Sequence, residues 1–301
     1  MSKLVRNMLI LTCLFLSSSI FQAIASEEIT TNSFQLVRNR VMQLGKKYGT
    51  ENVLLAFDID CTLLTSADNF GSDVWWNWQS GLFGTDQKSP FLVSKDFNNL
   101  LAIQSKILSF VKQYPTEADI PNIVKDFQKK GFKTLVLTAR GPNNRDLTEK
   151  QLKNNGFDFN KSSFAEGFPG EYLPYDVGNP EHFGLTPDDV SKFKLKPPRE
   201  VSFFNNIMMV SGQNKGIMVR TLLYKAGYNF KAIVLVDDGK KNTDNMQDAY
   251  KSIVMDVVTF RYSYDDSIKR QFEMSNKNRV IKQWNEYKAA LNTIFGKDTI
   301  K

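Results

Sequence analysis

Short, uninterrupted apolar runs separated by helical segments are the feature that most constrains the fold of this chain. VLLAF at 53–57, FKTLVL at 132–137 and AIVLV at 232–236 are each five or six residues long, which is shorter than a typical helix. A strand of a parallel sheet has this pattern, because helices cover both faces of the sheet and every side chain is buried. The sequence therefore predicts an α/β fold of the Rossmann-like, doubly wound type with a mainly parallel sheet.

Further strands and helices are predicted around these runs. Short strands are expected at 207–210 and 253–258. The helical segments show apolar residues at spacings of three and four, and several of them stop at a glycine. These helices are predicted at 31–47, 95–111, 117–130, 145–155, 215–225, 242–251 and 267–294.

The N-terminal segment has the pattern of a secretory signal. Lys3 and Arg6 precede an apolar stretch, 8–24, that ends in the small-residue sequence AIA. This pattern predicts cleavage after Ala25 and an exported protein, periplasmic or secreted, without membrane contact after cleavage. The alternative is an uncleaved anchor, because the apolar stretch nearly reaches the length that spans a membrane.

Composition and rare residue types exclude several classes of protein. The chain is 42% hydrophobic and 24% charged, as globular proteins are, and its net charge of +7 is spread over short lysine clusters. Such clusters favour a solvated surface that attracts anionic substrates, and no nucleic-acid partner is expected. Without Cys13 of the signal, Cys61 is a single cysteine, expected to be a small filler and unable to form an intramolecular disulfide. The one histidine, His182, excludes mechanisms that need two.

Polar residues follow the three clearest strands at the points where those strands end. Asp58 and Asp60 come after the first run, Thr138 after the second, and Asp237 and Asp238 after the third. The carboxyl ends of parallel strands meet at one edge of the sheet, where ligands bind. Two carboxylates as close as the first pair repel each other, so a cation is expected between them or one must stay protonated.

Four short segments resemble the motifs of the haloacid dehalogenase-like (HAD) phosphatases, in the order that the family has them. They are DIDCT at 58–62, LVLTAR at 135–140, Lys215 in SGQNKG, and IVLVDDGKKN at 233–242. The resemblance covers roughly residues 50–260. The chain is also similar, more loosely, to a set of exported HAD-like proteins from intracellular bacteria.

The resemblance implies hydrolysis of phosphate monoesters through an aspartyl-phosphate. Asp58 is implied to be the nucleophile, which divides a reaction with a very large barrier into two steps. Asp60 is implied to be the general acid and base, protonating the leaving alcohol and then activating water. Relatives that cleave carbon–halogen or phosphorus–carbon bonds generally lack an aspartate at this second position, so Asp60 favours phosphate esters.

The same resemblance implies a Mg²⁺ cofactor. Its ligands would be carboxylates of Asp58 and Asp237 and the backbone carbonyl of Asp60, with Asp238 either a ligand or an outer-shell partner. Oxygen ligands of this kind suit Mg²⁺, which shares further oxygens with a substrate phosphate.

Four other side chains are assigned to the phosphate and its surroundings. By the resemblance, Thr138 donates a hydrogen bond to the phosphate and Lys215 pairs with it; standing alone, Thr138 would read as a turn cap and Lys215 as a solvated helix residue. Arg140 either touches phosphate or pairs on the surface, and Asn242 is expected to support the loop of the two acids.

The domain organisation follows from the spacing of the motifs. A HAD-like core is predicted at 26–65 and 116–301, with a mostly helical cap inserted at 66–115 and a second insertion at 157–206. Both insertions are placed where they can cover the site. The cap contains aromatic residues that either stack on the substrate or form the cap's own core: Trp75, Trp76, Trp78 and Phe83.

The sequence thus predicts an exported, Mg²⁺-dependent phosphomonoester hydrolase that acts on a small phosphorylated substrate. Two alternatives stay open. One is a phosphotransferase or phosphomutase with the same site. The other is a non-enzymatic HAD-like binding or effector protein, since export leaves room for a host partner that nothing in the sequence indicates.

Overall fold

The structure is a computed structural model, and it describes residues 26–162, 164 and 170–296. The predicted signal segment, 1–25, lies outside the described residues. Within the described part of the chain, no helix is long and apolar enough to cross a membrane.

One large sheet organises the molecule. In chain order, the strands are β1 (Ser26–Thr31), β2 (Val53–Phe57), β3 (Leu64–Ser66), β4 (Gln113–Pro115), β5 (Lys133–Thr138), β6 (Gly170–Tyr172), β7 (Val201–Phe204), β8 (Ile207–Met209), β9 (Ala232–Asp237) and β10 (Asp256–Tyr262). Eight of them form the sheet in the order β1-β10-β9-β2-β5-β8-β7-β6. In this order, each strand from β1 through β8 is parallel to the strand beside it. The last two strands, β7 and β6, each pair antiparallel with the strand before them. The predicted α/β fold with a mainly parallel sheet is confirmed.

Helices flank this sheet. They are α1 (Phe34–Tyr48), α2 (Asp73–Thr85), α3 (Phe97–Leu108), α4 (Ile120–Lys129), α5 (Arg145–Asn154), α6 (Pro187–Lys192), α7 (Lys215–Ala226), α8 (Lys240–Tyr250), α9 (Asp266–Met274) and α10 (Asn278–Phe295). The small antiparallel pair of β3 and β4 stands outside the main sheet and brackets the segment that carries α2 and α3.

Strand β2 shows why its sequence is apolar throughout. Val53, Leu55 and Phe57 pack in the cluster formed with α1 and α4. Leu54 and Ala56 point to the opposite face and pack in the cluster formed with α7 and α8. Because successive side chains of a strand alternate between faces, a strand buried on both sides has no place for a polar residue. The first polar side chain appears where the strand ends.

The segment 66–115 folds against the C-terminal helices. Trp75 of α2 and Ile103 and Ile107 of α3 share a small apolar cluster with Phe272 of α9 and Val280 of α10. Apolar surface removed from water in this cluster contributes about 25 cal/mol per Å². The predicted cap is therefore attached to the core through α9 and α10 as well as through its own chain connections.

The segment 267–294 is mostly helical, as predicted, and the structure divides it into two helices, α9 and α10. Lys277 takes a left-handed conformation with φ of 61° between α9 and α10. Apolar residues continue at helical spacing across this break, so periodicity alone did not reveal it. The break lets both Phe272 and Val280 reach the cap cluster.

Strand β1 and the edge strands β6 and β7 were not assigned from sequence. The β1 sequence, SEEITT, is polar and its residues alternate between exposed and partly buried, since β1 is the outermost strand of the sheet. The segment 157–206 is the predicted second insertion. It supplies β6 and β7, which extend the sheet at its other edge.

Candidate active site

The carboxyl ends of three adjacent strands place the predicted residues at one edge of the sheet. β2 lies between β5 and β9. Asp58 follows β2 directly, and its N–H donates to the carbonyl of Val236 on β9 at 3.0 Å. Thr138 and Asp237 are the last residues of β5 and β9. The chain runs from β2 to β5 on one side and returns through β9 on the other, so this edge is the topological switch point where such sheets bind ligands.

Lys215 joins two of these acids. It is the first residue of α7, which begins after Asn214, whose side chain accepts from the N–H of Ile217. The Lys215 Nζ lies 2.6 Å from Asp58 Oδ1 and 2.6 Å from Asp237 Oδ2, and all three side chains are buried. Lys215 is therefore not a solvated helix residue.

The buried triad contains one basic side chain and two acidic ones. Burial by itself would lower the pKa of Lys215, but the carboxylates of Asp237 and Asp58 outweigh it and raise the pKa, so the lysine stays protonated. Burial raises the pKa of Asp58 well above its usual range, and the Asp237 charge adds to that while Lys215 opposes it. One ammonium group shared by two carboxylates leaves an excess of negative charge, which either a proton on Asp58 or a further cation relieves.

The loop after β9 is tied to the loop after β2. Asp237 Oδ1 accepts from the N–H of Gly239 at 2.9 Å and from Nδ2 of Asn242 at 2.8 Å. The N–H of Asp238 donates to the hydroxyl oxygen of Thr62 at 3.0 Å. Asn242 thus braces Asp237, and Thr62 holds the two acidic loops together.

Arg140 holds Asp60. Its Nε lies 2.9 Å from Asp60 Oδ2 and its Nη2 lies 2.7 Å from Oδ1. Its Nη1 donates to Thr148 at 3.1 Å and to Gln151 at 2.7 Å, so the guanidinium is fixed from behind. Gln113 of β4 also donates to Asp60 Oδ1, at 3.3 Å. Burial opposes ionisation of Asp60, but the charge and hydrogen bonds of Arg140 outweigh it and lower the pKa. Arg140 therefore pairs inside the site and not on the surface.

Thr138 keeps a hydroxyl hydrogen for a ligand. Its Oγ1 accepts the N–H of Arg140 at 3.2 Å. The side chain is buried yet lines the cavity of the site. A hydroxyl that already accepts one hydrogen bond still has its own O–H to donate.

Carboxylate oxygens of Asp58, Asp237 and Asp238 lie within 4.8 Å of one another. This donor set fits Mg²⁺, which prefers hard oxygen ligands and binds through one or two carboxylates and waters. The Asp60 side chain does not belong to this group. Lys269 of α9 donates to Asp238 and is itself mostly buried.

A cavity of about 360 Å³ opens above these residues. Its floor carries Asp58, Thr138 and Lys215, and its far wall comes from α2 and α3 of the predicted cap. The Nε2 of Gln104 donates to the carbonyl of Gly71 at 3.0 Å, whereas its Oε1 is buried and accepts no hydrogen bond from the described residues. The cap side chains that line the cavity are Asp73, Trp76, Asn77, Leu101, Gln104, Ser105 and Leu108.

The aromatic residues of the cap differ in what surrounds them. Trp75 is 1% exposed and belongs to the cap cluster. Trp78 packs edge-on against Phe272 at 6.1 Å between ring centroids. Trp76 alone of the four lines the cavity, and Phe97 supports its ring at 6.1 Å. The fourth, Phe83, packs against the same Phe97 with the two rings tilted by 52°.

Sequence reasoning missed two charged residues of the site. Asp73 lies in the first turn of α2, and burial together with the charges of Asp238 and Asp60 raises its pKa to about 7. Lys269 reaches Asp238 from a helix near the C-terminus. Both occur in amphipathic helices where a charged residue reads as solvent-facing, so no local signal distinguishes them.

Comparison with known proteins finds one family. A family model described as "Protein of unknown function (DUF2608)" matches residues 30–295. No curated protein and no solved structure matches the chain.

Proposed function

The chain belongs to the DUF2608 family, and we propose that it is an exported, Mg²⁺-dependent phosphomonoester hydrolase with the chemistry of the HAD phosphatases. The observation that carries this proposal is the contact of Lys215 with both Asp58 and Asp237. These three charges, with Thr138 beside them, lie beneath a cavity of small-molecule size.

The metal would be held by Asp58, Asp237 and Asp238, and by the backbone carbonyl of Asp60 as the HAD resemblance implies. When bound, Mg²⁺ supplies positive charge that neutralises the phosphate oxygens and the buried acids. The excess of carboxylates around Lys215 supports this assignment.

Thr138 and Lys215 bind the phosphate in this proposal. The Thr138 hydroxyl donates a hydrogen bond to one phosphate oxygen, and the Lys215 ammonium pairs with another while keeping Asp58 oriented. A carboxylate oxygen of Asp58 attacks phosphorus, the bond to the ester oxygen breaks, and the phosphoryl group is transferred to Asp58.

Asp60 then activates the water that cleaves the aspartyl-phosphate. Arg140 keeps Asp60 ionised and fixes its direction, and both properties suit a general base. In the first step Asp60 would donate a proton to the leaving alcohol, and Arg140 opposes that role by favouring the charged form. A leaving group that needs little protonation, such as a phenolate, is therefore the substrate with which activity is easiest to detect.

The test is hydrolysis of an aryl phosphate by the purified protein with Mg²⁺, with EDTA, and by the Asp58→Asn variant. We expect release of phosphate with Mg²⁺, none with EDTA, and a loss of at least a thousandfold in D58N. Asp244→Asn is the matched control, because Asp244 is an exposed acid of α8 paired with Lys240, and its activity should equal that of the wild type.

The intermediate gives an independent readout. Acid quenching during turnover, followed by mass spectrometry, should find phosphate on the peptide that carries Asp58 and not in D58N. Failure of a broad panel of phosphomonoesters, together with no Mg²⁺ binding by calorimetry, would reject the proposal. Transfer of phosphate to an added alcohol in place of water would identify a phosphotransferase with the same site.

A further inference from the structure

A second cluster of ligand-type side chains lies beside the proposed Mg²⁺ site. Cys61 Sγ, a carboxylate oxygen of Asp73 and one of Asp238 all lie within 4.8 Å of one another. Cys61 Sγ and Asp73 Oδ2 are 4.0 Å apart. Two tetrahedral ligands at about 2.0–2.3 Å from a zinc ion are roughly 3.5 Å from each other, so small side-chain movements would bring this set to bonding distance.

Two of these residues, Cys61 and Asp73, line a cavity that has the size of an ion. Cys61, Asp73 and Asp265 line a space of about 20 Å³. A space near 15 Å³ holds about one water-sized particle, so no organic ligand fits. The enclosing elements are the loop after β2, the first turn of α2 and the start of α9.

Asp265 is an independent sign that a ligand is missing from this space. Its residue is 3% exposed, and its Oδ1 accepts no hydrogen bond from the described residues. A buried carboxylate oxygen without a donor is costly, and its partner is a hydrogen-bond donor, an ordered water or a cation. The hydrogen bonds within the cluster do not supply it.

The charge around the cavity also favours a cation. The acidic residues that line the cavity are Asp60, Asp68, Asp73 and Asp265. Asp60 pairs with Arg140 and Asp68 with Arg279, but no cationic side chain of the described residues forms an ion pair with Asp73 or Asp265. Asp238 beside the cavity has one cationic partner, the ammonium group of Lys269.

We propose that Cys61, Asp73 and Asp238, with Asp265 on the wall of the cavity that Cys61 and Asp73 line, form a binding site for a thiophilic divalent cation of the zinc class. A thiolate ligand selects zinc or cadmium against Mg²⁺, which prefers oxygen. On binding, the Cys61 S–H bond breaks, the proton leaves to the buffer, and a sulfur–metal bond forms. The site is adjacent to the proposed Mg²⁺ site through Asp238, and its binding chemistry holds whether or not the protein hydrolyses phosphate esters.

Cadmium is the probe, because a thiolate–cadmium bond has its own ultraviolet charge-transfer absorption. The protein carries Cys13→Ser, so Cys61 is the only cysteine of the chain, and an excess of Mg²⁺ is present throughout. We expect one Cd²⁺ per chain by equilibrium dialysis, with a charge-transfer band that saturates at the same stoichiometry, and displacement by Zn²⁺ but not by Mg²⁺.

Variants assign the ligands. Cys61→Ser should abolish the band, and Asp73→Asn and Asp265→Asn should each keep the band but weaken binding by about 10- to 100-fold, the usual cost of losing a ligand or its supporting partner. Asp68→Asn is the matched control, because Asp68 lines the same cavity but is paired with Arg279, and it should bind as the wild type does. Cd²⁺ binding without the charge-transfer band would overturn the proposal. So would an affinity for Cd²⁺ that is unchanged in both D73N and D265N. Both outcomes can be measured even if C61S fails to fold.

Discussion

Arg140 donates hydrogen bonds to both carboxylate oxygens of Asp60, from Nε to Oδ2 at 2.9 Å and from Nη2 to Oδ1 at 2.7 Å. The two residues are far apart in sequence and come from the loops after β5 and β2. A two-point contact of this kind fixes direction as well as charge, because the planar guanidinium matches the planar carboxylate. The proposed general base is therefore held in place before any substrate arrives.

Replacing Arg140 should lower the rate more than it weakens substrate binding. In Arg140→Met, Asp60 stays in the site but loses its fixed direction. We therefore expect kcat for an aryl phosphate to fall by about 10- to 100-fold, less than the roughly 100- to 10,000-fold that general acid–base catalysis contributes as a whole. KM should change by less than about threefold, if Arg140 acts through Asp60. Arg140→Lys keeps the positive charge without the two-point contact, so its kcat should lie between those of the wild type and R140M. A rise in KM with kcat unchanged would show that Arg140 binds the phosphate directly.

The ion pair of Asp189 and Arg220 should make stability depend on pH. Arg220 Nη1 and Nη2 lie 2.8 and 3.0 Å from the two oxygens of Asp189, which also caps α6. Burial alone would raise the pKa of Asp189, but the hydrogen bonds from Arg220 and Thr186 outweigh it and lower the pKa. Because the pKa is lower in the folded state, the pair stabilises the protein above the unfolded pKa of about 3.9, and this contribution is lost as the pH falls through the folded value.

We therefore expect Asp189→Asn to reduce the free energy of unfolding by about 1–3 kcal/mol at pH 7, the usual cost of breaking a largely buried charged hydrogen bond. The difference from the wild type should be smaller at pH 3, which lies below the unfolded pKa of about 3.9. Urea unfolding of both proteins at the two pH values measures it. Asp126→Asn is the control, because Asp126 pairs with Arg38 and Lys130 at a more exposed place and should cost less than about 1 kcal/mol. An equal loss for D189N at both pH values would contradict the assignment.

Two glycines in helices should respond to alanine with opposite signs. A Cβ on Gly216 of α7 would come 2.3 Å from the carbonyl oxygen of Asn245 on α8, a backbone atom. Gly216→Ala should therefore lower the free energy of unfolding by about 1–3 kcal/mol. It should also reduce activity, because Lys215 directly precedes Gly216. Gly81→Ala on α2 meets no atom within 4 Å and should stabilise by about 0.5–1 kcal/mol. Thermal and urea unfolding measure both changes, and equal effects would reject the packing argument.

Trp76 should determine how well the cavity holds an aromatic leaving group. Its ring lines the cavity and rests on Phe97. We expect Trp76→Ala to raise KM for an aryl phosphate by about tenfold, or about 1.4 kcal/mol, the order that an aromatic contact supplies. Trp78→Ala is the control, since Trp78 packs on Phe272 away from the site. Trp78→Ala should lower the melting temperature and leave KM unchanged. A similar KM for both variants would show that Trp76 does not contact the substrate.

The strands at the centre of the sheet could be predicted because their cause is local. β2, β5 and β9 are buried on both faces, so their own sequences carry the whole signal. Edge strands have no such signal. β1 is polar, β6 is three residues long, and both form because a neighbouring strand offers hydrogen bonds. The same limit hid the break at Lys277, which depends on packing against the cap.

The sequence by itself determined where the strands end, and with them the placement of Asp58, Thr138 and Asp237 at one edge, because parallel strands of known direction leave no other arrangement. Only the tertiary structure decided which charges meet: Arg140 with Asp60, Lys269 with Asp238, and Asp73 at the rim of the ion-sized cavity. Strand and helix patterns repeat within a few residues and can be read from the chain. A pairing between side chains on distant elements depends on how those elements pack, and no short-range pattern encodes it.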